Sequence, residues 1–165
     1  MSEQSETRFV LAVHNTLLGV FNYLVFNLPS KWKLKSGDFP FEMYASTKIG
    51  EVRWVRDGIS VNYIYDGESA LRMVVSVHEN ERQSKLVKRN VTVLRDESID
   101  INGHRGRVVI GRTSRGLLKK TQLDYLRIVY RCNVTRRTID LAMEGRCHEE
   151  SLKTLTEAIQ KSTCH

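Results

Sequence analysis

Sulfur and imidazole are the side chains with the most chemical reach in this chain, and two of its three cysteines stand in a repeated pair, Cys147-His148 and Cys164-His165. Such a donor set suits a tetrahedral zinc ion. The residues between the pairs exclude a shared ion within one molecule. His148, Leu152, Leu155, Ile159 and Ser162 recur at the three- and four-residue steps of an amphipathic helix. At ~1.5 Å per residue the ends of that helix lie roughly 20 Å apart, whereas zinc–sulfur bonds are ~2.3 Å long. No metal site and no cofactor are expected.

Cys132 and Cys164 read as a disulfide or as two buried free thiols. A closing strand carries the chain away from Cys132 over about eight residues at ~3.3 Å each, and the helix returns it by a similar distance, beside Cys132. A bond would close a loop of about thirty residues and contribute on the order of 3–4 kcal/mol in the chain-entropy account, given Cα atoms ~4.4–6.8 Å apart. Free cysteine is also among the most buried residue types. Cys147 is then the odd thiol. At a helix N-terminus its pKa could be lowered, which makes it the one reactive candidate.

No Walker sequence, Gly-x-Ser-x-Gly elbow or His-Glu-x-x-His helix occurs. His14, His78, His104, His148 and His165 are scattered, and no catalytic residue is expected. The arginines are more informative. Between His104 and Arg137 ten basic residues stand against one acid, Asp124, so this block carries a formal +9 in a chain of net +7 and leaves −2 for the rest. Arg105, Arg107, Arg127 and Arg131 are predicted to lie on faces opposite the core residues of their strands. Arg112, Arg115, Lys119 and Lys120 fall in a predicted basic loop over 112–124, and Arg136 and Arg137 follow in a turn. Such a region could neutralise phosphates. The expectation is a non-catalytic basic binding protein that contacts nucleic acid or a ribonucleoprotein through residues 104–137. The alternative is a protein-interaction module, and a basic surface serving only solubility or ion pairing stands beside both.

The elements that must position these groups follow from periodicity. Leu126, Ile128, Tyr130 and Cys132 share one strand face, and Ile139, Leu141 and Met143 share a face of the next strand, which is predicted to pair with the first in the antiparallel sense that the short turn at 133–136 permits. Glu149 and Glu150 open the closing helix and Lys161 ends it, as the helix dipole favours. Earlier, strands are predicted at 51–56, 59–65 and 71–77, with Asp57-Gly58 and Asp66-Gly67 as turns. Asn102-Gly103 marks another hairpin, and β-type residues resume over 86–94. Val20 to Leu28 reads as a buried strand ending at Pro29. Residues 8–18 are predicted to be a helix and residues 1–7 to fray.

At 165 residues and 41% hydrophobic content the chain suits one domain. The apolar run 9–28 is interrupted by His14, Asn15, Asn22 and Asn27, and Glu3 and Glu6 precede it, a poor signal peptide and a poor membrane span. The expectation is a cytoplasmic protein that makes no membrane contact. An intracellular disulfide would fit a source from a hot environment, archaeal or bacterial.

Phe26-Asn27-Leu28-Pro29-Ser30-Lys31-Trp32 resembles the strand, proline and tryptophan entry of the PsbP-like family, and the later order of antiparallel strands, Ile101-Asn102-Gly103 turn, final hairpin and closing helix is similar too. The resemblance implies an α/β sandwich that acts by binding other macromolecules. The expected fold class is therefore α+β: a single-domain sandwich with a mostly antiparallel sheet covered by an N-terminal and a C-terminal helix.

Overall fold

The computed structural model describes residues 5–15, 19–37, 57–79, 90–118 and 120–165, and of Phe21, Asp57 and Arg115 it describes the backbone alone. Among the described residues nine strands follow in order: β1 (Glu6–Asn15), β2 (Gly19–Pro29), β3 (Lys33–Ser36), β4 (Asp57–Tyr65), β5 (Ala70–His78), β6 (Val91–Ile101), β7 (His104–Arg115), β8 (Thr121–Arg131) and β9 (Thr138–Arg146). One helix among the described residues, α1 (Glu149–Gln160), closes the fold. The strands form one sheet of order β2-β1-β4-β5-β9-β8-β7-β6, with β3 added to β4, and every pairing is antiparallel.

The expected N-terminal helix is overturned. Residues 6–15 form β1, which pairs with β2 from Glu6↔Pro29 to Asn15↔Gly19. Leu11, Val13 and Asn15 are buried while Val10 and His14 are exposed, the two-residue period of a strand. Apolar Val10 on the open face had blurred that period in the sequence. Among the described residues α1 at the C-terminal end is therefore the covering helix, and the architecture is a mostly antiparallel sheet rather than a sheet between an N-terminal and a C-terminal helix. Glu6 and Thr7, expected to fray, are paired with Pro29 and Leu28.

Two further boundaries move. Asp57-Gly58 is the start of β4, opposite His78 and Val77, and not a turn; the strand predicted at 51–56 lies outside the described residues. The predicted basic loop over 112–124 shrinks to 116–120, because β7 runs on to Arg115 and β8 begins at Thr121, with Arg112 opposite Asp124. Alternating residues there are mostly polar on both faces, so the hydrophobic period that marks a strand is missing. The Asn102-Gly103 turn forms as expected, both residues in the left-handed region at φ 49 and 86.

The core lies on the face of the sheet that α1 covers. Leu126, Ile128, Tyr130, Ile139, Leu141 and Met143 are buried there, as the alternation of β8 and β9 predicts, and Trp32 joins them beyond Pro29. α1 contacts β2 and β6, which are the two ends of the sheet path, so the sheet curls around the helix. Leu155 and Ile159 are fully buried, each contributing about 1.5–3 kcal/mol relative to exposure.

The N-terminal end of α1 is tied to the β4–β5 turn. The Asp66 carboxylate accepts the Ser69 and Glu68 N–H groups at 2.7 and 3.0 Å and the Ser151 hydroxyl at 2.8 Å, while the Ser69 hydroxyl accepts the His148 N–H at 2.9 Å. Burial opposes ionisation of Asp66, but these bonds outweigh it and hold the carboxyl below the usual aspartate range. Lys161 caps α1 at its other end and stands just outside the helix. No helix among the described residues is long and apolar enough to cross a membrane.

Candidate metal centre

Beyond α1 the chain turns sharply and joins the sheet's free edge. Ser162 N–H reaches the Ile159 carbonyl at 3.0 Å, and Thr163 bridges Val25 of β2 in both directions at 2.9 and 3.0 Å. Asn22 adds a bond from its side-chain amide to the Cys164 carbonyl at 3.3 Å. These contacts carry Cys164 and His165 to the ends of β7 and β8. Cys132 follows β8 in phase with its core residues. Its carbonyl accepts the Arg136 N–H at 2.9 Å, and Arg136 takes the left-handed φ of 57 that closes the turn. His104 begins β7 directly after the Asn102-Gly103 turn, with its ring directed to the core side and 7% exposed.

Four potential ligand atoms meet there. One atom each from His104, Cys132, Cys164 and His165 all lie within 4.8 Å of one another. Cys132 Sγ is 3.6 Å from His165 Nδ1, Cys164 Sγ is 3.6 Å from the same nitrogen, and Cys164 Sγ is 3.7 Å from His104 Nε2. The His165 ring stands edge-on to that of His104 at 5.9 Å, and Tyr130 stacks on His104 at 6.2 Å. The close approach of β8 to β7 beside this stack needs Gly106, where a Cβ would stand 2.9 Å from Tyr130 Cβ. Tyr130 Oη and Ser162 Oγ are buried beside one another and make no hydrogen bond of good geometry among the described residues, while the Cys164 sulfur and Ser162 both act on the Tyr130 hydroxyl.

All three cysteines are free. The sequence thus brings Cys132 and Cys164 together as expected, but the disulfide is not formed. The two sulfurs are shifted in opposite directions. Burial opposes ionisation of Cys132, yet hydrogen bonds from the Cys164 thiol, from the Thr135 hydroxyl and from the Thr135 and Val134 N–H groups hold it down to about 6. Burial and the bond to Cys132 push Cys164 up to about 12. Tyr130 is raised by burial first and by the Cys164 sulfur next. A thiolate cradled by N–H groups is a ready soft-metal ligand.

His104 requires one local adjustment. The Asn133 N–H lies 3.2 Å from His104 Nδ1, which makes Nδ1 an acceptor and places the proton of the neutral ring on Nε2. Coordination through Nε2 moves that proton to Nδ1, so the Asn133 amide must turn away.

Cys147 and His148 sit at the other end of α1, outside this group, as the helix length demands. The Cys147 N–H donates to Asp124 at 2.9 Å. Burial pushes its thiol up to about 11, with Asp124 and Asp66 adding to the rise. The activation expected at a helix N-terminus is therefore reversed, because a buried thiol between two carboxylates resists ionisation.

The basic residues separate into paired and unpaired sets. Arg105, Arg107, Arg127 and Arg131 do share the face opposite the core, since Gly106 pairs with Tyr130 and Val109 with Arg127. Arg127 is spent on a bidentate bond to Asp140 at 2.9 and 2.6 Å, and Arg107 on one to Asp96 at 2.7 and 2.6 Å. Arg131 reaches the Thr138 hydroxyl at 3.5 Å, and Arg137 reaches Asn22 Oδ1 at 3.2 Å. Arg105, Arg112, Lys120 and Arg136 are exposed. Lys119 and the side chain of Arg115 lie outside the described residues. The acids that pair with the block come from β6 and β9, outside residues 104–137, so the charge of the sequence block overstates the charge of the surface.

Sequence reasoning missed His104 and His165 as partners of the two thiols. The signal was present: antiparallel pairing across one turn puts the first residue of β7 beside the last residues of β8, where Cys132 stands. The repeated Cys-His pairs drew attention instead to Cys147. No family model matches the chain, and no curated protein matches it.

Proposed function

We propose that this chain is a zinc-binding, non-catalytic protein whose Cys2His2 centre, made by His104, Cys132, Cys164 and His165, fixes its closing segment to the sheet. One observation carries the reading: the sulfur–nitrogen separations of 3.6, 3.6 and 3.7 Å match the edge of about 3.5–3.6 Å that follows from tetrahedral bonds of ~2.3 Å to sulfur and ~2.0–2.1 Å to nitrogen. Two sulfurs with two imidazoles favour zinc over the hard cations. Four protein ligands leave no position for a reacting water, which is the form of a structural site. Reduced thiols of this kind are maintained in a cytoplasmic setting. Elemental analysis of the chain purified under reducing conditions should find one zinc per molecule, and cobalt(II) in its place should give tetrahedral and thiolate charge-transfer absorption. A chain that binds neither ion, or keeps full occupancy after Cys132→Ala and Cys164→Ala, refutes the centre.

Nucleic acid or a ribonucleoprotein is the partner class favoured by a second observation. Continuing the register of Gly106 with Tyr130 sets Arg105 directly opposite Arg131, and neither has a carboxylate partner among the described residues. Like charges facing across strands are destabilising, and a phosphate between them removes the penalty. These two residues adjoin His104 and Cys132, so the centre also fixes their spacing. Binding to a mixed-sequence oligonucleotide should weaken with salt, and Arg105→Ala with Arg131→Ala should flatten the logarithmic salt dependence by about 1.5–2. An unchanged slope refutes this contact.

A further inference from the structure

We infer that the centre is a thiol switch, in which Cys132 and Cys164 close a disulfide on oxidation by a hydroperoxide and release the metal ion. This rests on the zinc reading above. The geometry supplies both states of the exchange: the two sulfurs are adjacent, within 4.8 Å of one another, so the same two atoms can either share an ion or bond to each other at ~2.05 Å.

The surroundings favour that exchange. Cys132 and Cys164 are 0% and 1% exposed, while His165, which touches both sulfurs, is exposed. Displacement of that one imidazole opens the sulfurs to a small oxidant and leaves the rest of the packing in place. The segment holding Cys164 is independently docked, through the Thr163–Val25 bridge and the Asn22 bond. The second sulfur therefore stays near the first when the ion is lost. Cys147 stands at the far end of α1 and cannot compete as a resolving thiol.

The chemistry closes without another reagent. One thiolate attacks a peroxide oxygen, the O–O bond breaks, and a sulfenic acid results together with one water from hydrogen peroxide, or one alcohol from an organic hydroperoxide, after protonation. The second thiolate attacks the sulfenic sulfur and expels hydroxide, which takes a proton and leaves as water. Two thiolates are oxidised by two electrons, the peroxide is reduced by two, and the zinc ion departs unchanged in charge. A dithiol reductant returns both sulfurs to thiolates and restores the site.

The test uses the full chain carrying Cys147→Ser, isolated with its zinc and titrated with hydrogen peroxide. A chromogenic chelator follows the released ion, and intact mass with peptide mapping follows the sulfurs. One zinc should leave per peroxide consumed, with a mass loss of about 2 Da, a Cys132–Cys164 cross-link, and full return of zinc binding after reduction. Zinc that stays bound through stoichiometric peroxide overturns the switch and leaves the zinc reading intact. Zinc loss with added oxygen atoms and no cross-link also overturns it. A reduced chain that takes up no zinc at all overturns the zinc reading itself, and the switch with it.

Discussion

The two ends of α1 solve the same problem with different chemistry. At the N-terminal end Asp66 gathers two N–H groups and the Ser151 hydroxyl, and Ser69 takes the His148 N–H, so the polar groups of this junction are satisfied by the chain alone. At the other end two thiols and two imidazoles converge with no single carboxylate or backbone group among the described residues gathering them as Asp66 gathers its donors. One junction is complete as folded; the other, on the zinc reading proposed above, is completed by an ion. The difference assigns shape to the first and responsiveness to the second.

The most damaging change to that contrast is loss of a ligand. Cys132→Ala should remove the ion and lower stability by roughly 3–5 kcal/mol, or about 10 °C in Tm, after which a chelator has no further effect. Asp66→Ala comes next. It strands buried donors at the opposite end and should cost about 2–3 kcal/mol, with zinc affinity unchanged. A melting curve of each variant with and without chelator separates the two.

Acid should divide the ends in the same order. Protons compete with zinc for sulfur and imidazole, so the C-terminal junction should loosen between about pH 7 and pH 5. Asp66 has a depressed folded pKa. Its contribution is therefore complete above the usual carboxylate range and is lost as pH falls below that range through the depressed folded value. Loss of the Ser69 junction before the metal would contradict the comparison.

The arginine face offers a smaller test of the same reasoning. Asp140→Ala strands a partly buried guanidinium and should cost roughly 2 kcal/mol, less than the 3–5 expected for a fully enclosed pair. Asp96→Ala frees the solvent-exposed Arg107 and should change stability least of all, while raising any affinity for polyanions.

Much of the closing half was legible in the sequence. The alternation of Leu126, Ile128, Tyr130 and Cys132, the spacing of Leu152, Leu155 and Ile159, and the return distance that sets Cys164 beside Cys132 all depend on local period and length. What escaped depends on partners remote in sequence. β1 took its form from pairing with β2, and Arg107 and Arg127 found their acids on β6 and β9. Asp57-Gly58 had turn chemistry but was drawn into β4 by its pairing with β5. The candidate centre escaped although Asn102-Gly103 and the alternation of β8 were both read correctly, because placing His104 beside the thiols also requires that β7 pair with β8 rather than another strand.

The most direct measurement is amide hydrogen exchange at Thr163 and Val25, compared with Ser69 and His148, on the reduced chain with zinc and with chelator. The account predicts that chelation speeds exchange at Thr163 and Val25, though the bridge between them keeps it short of the fully open rate, and leaves Ser69 and His148 as slow as before. Equal protection of Thr163 and Val25 in both conditions would contradict it.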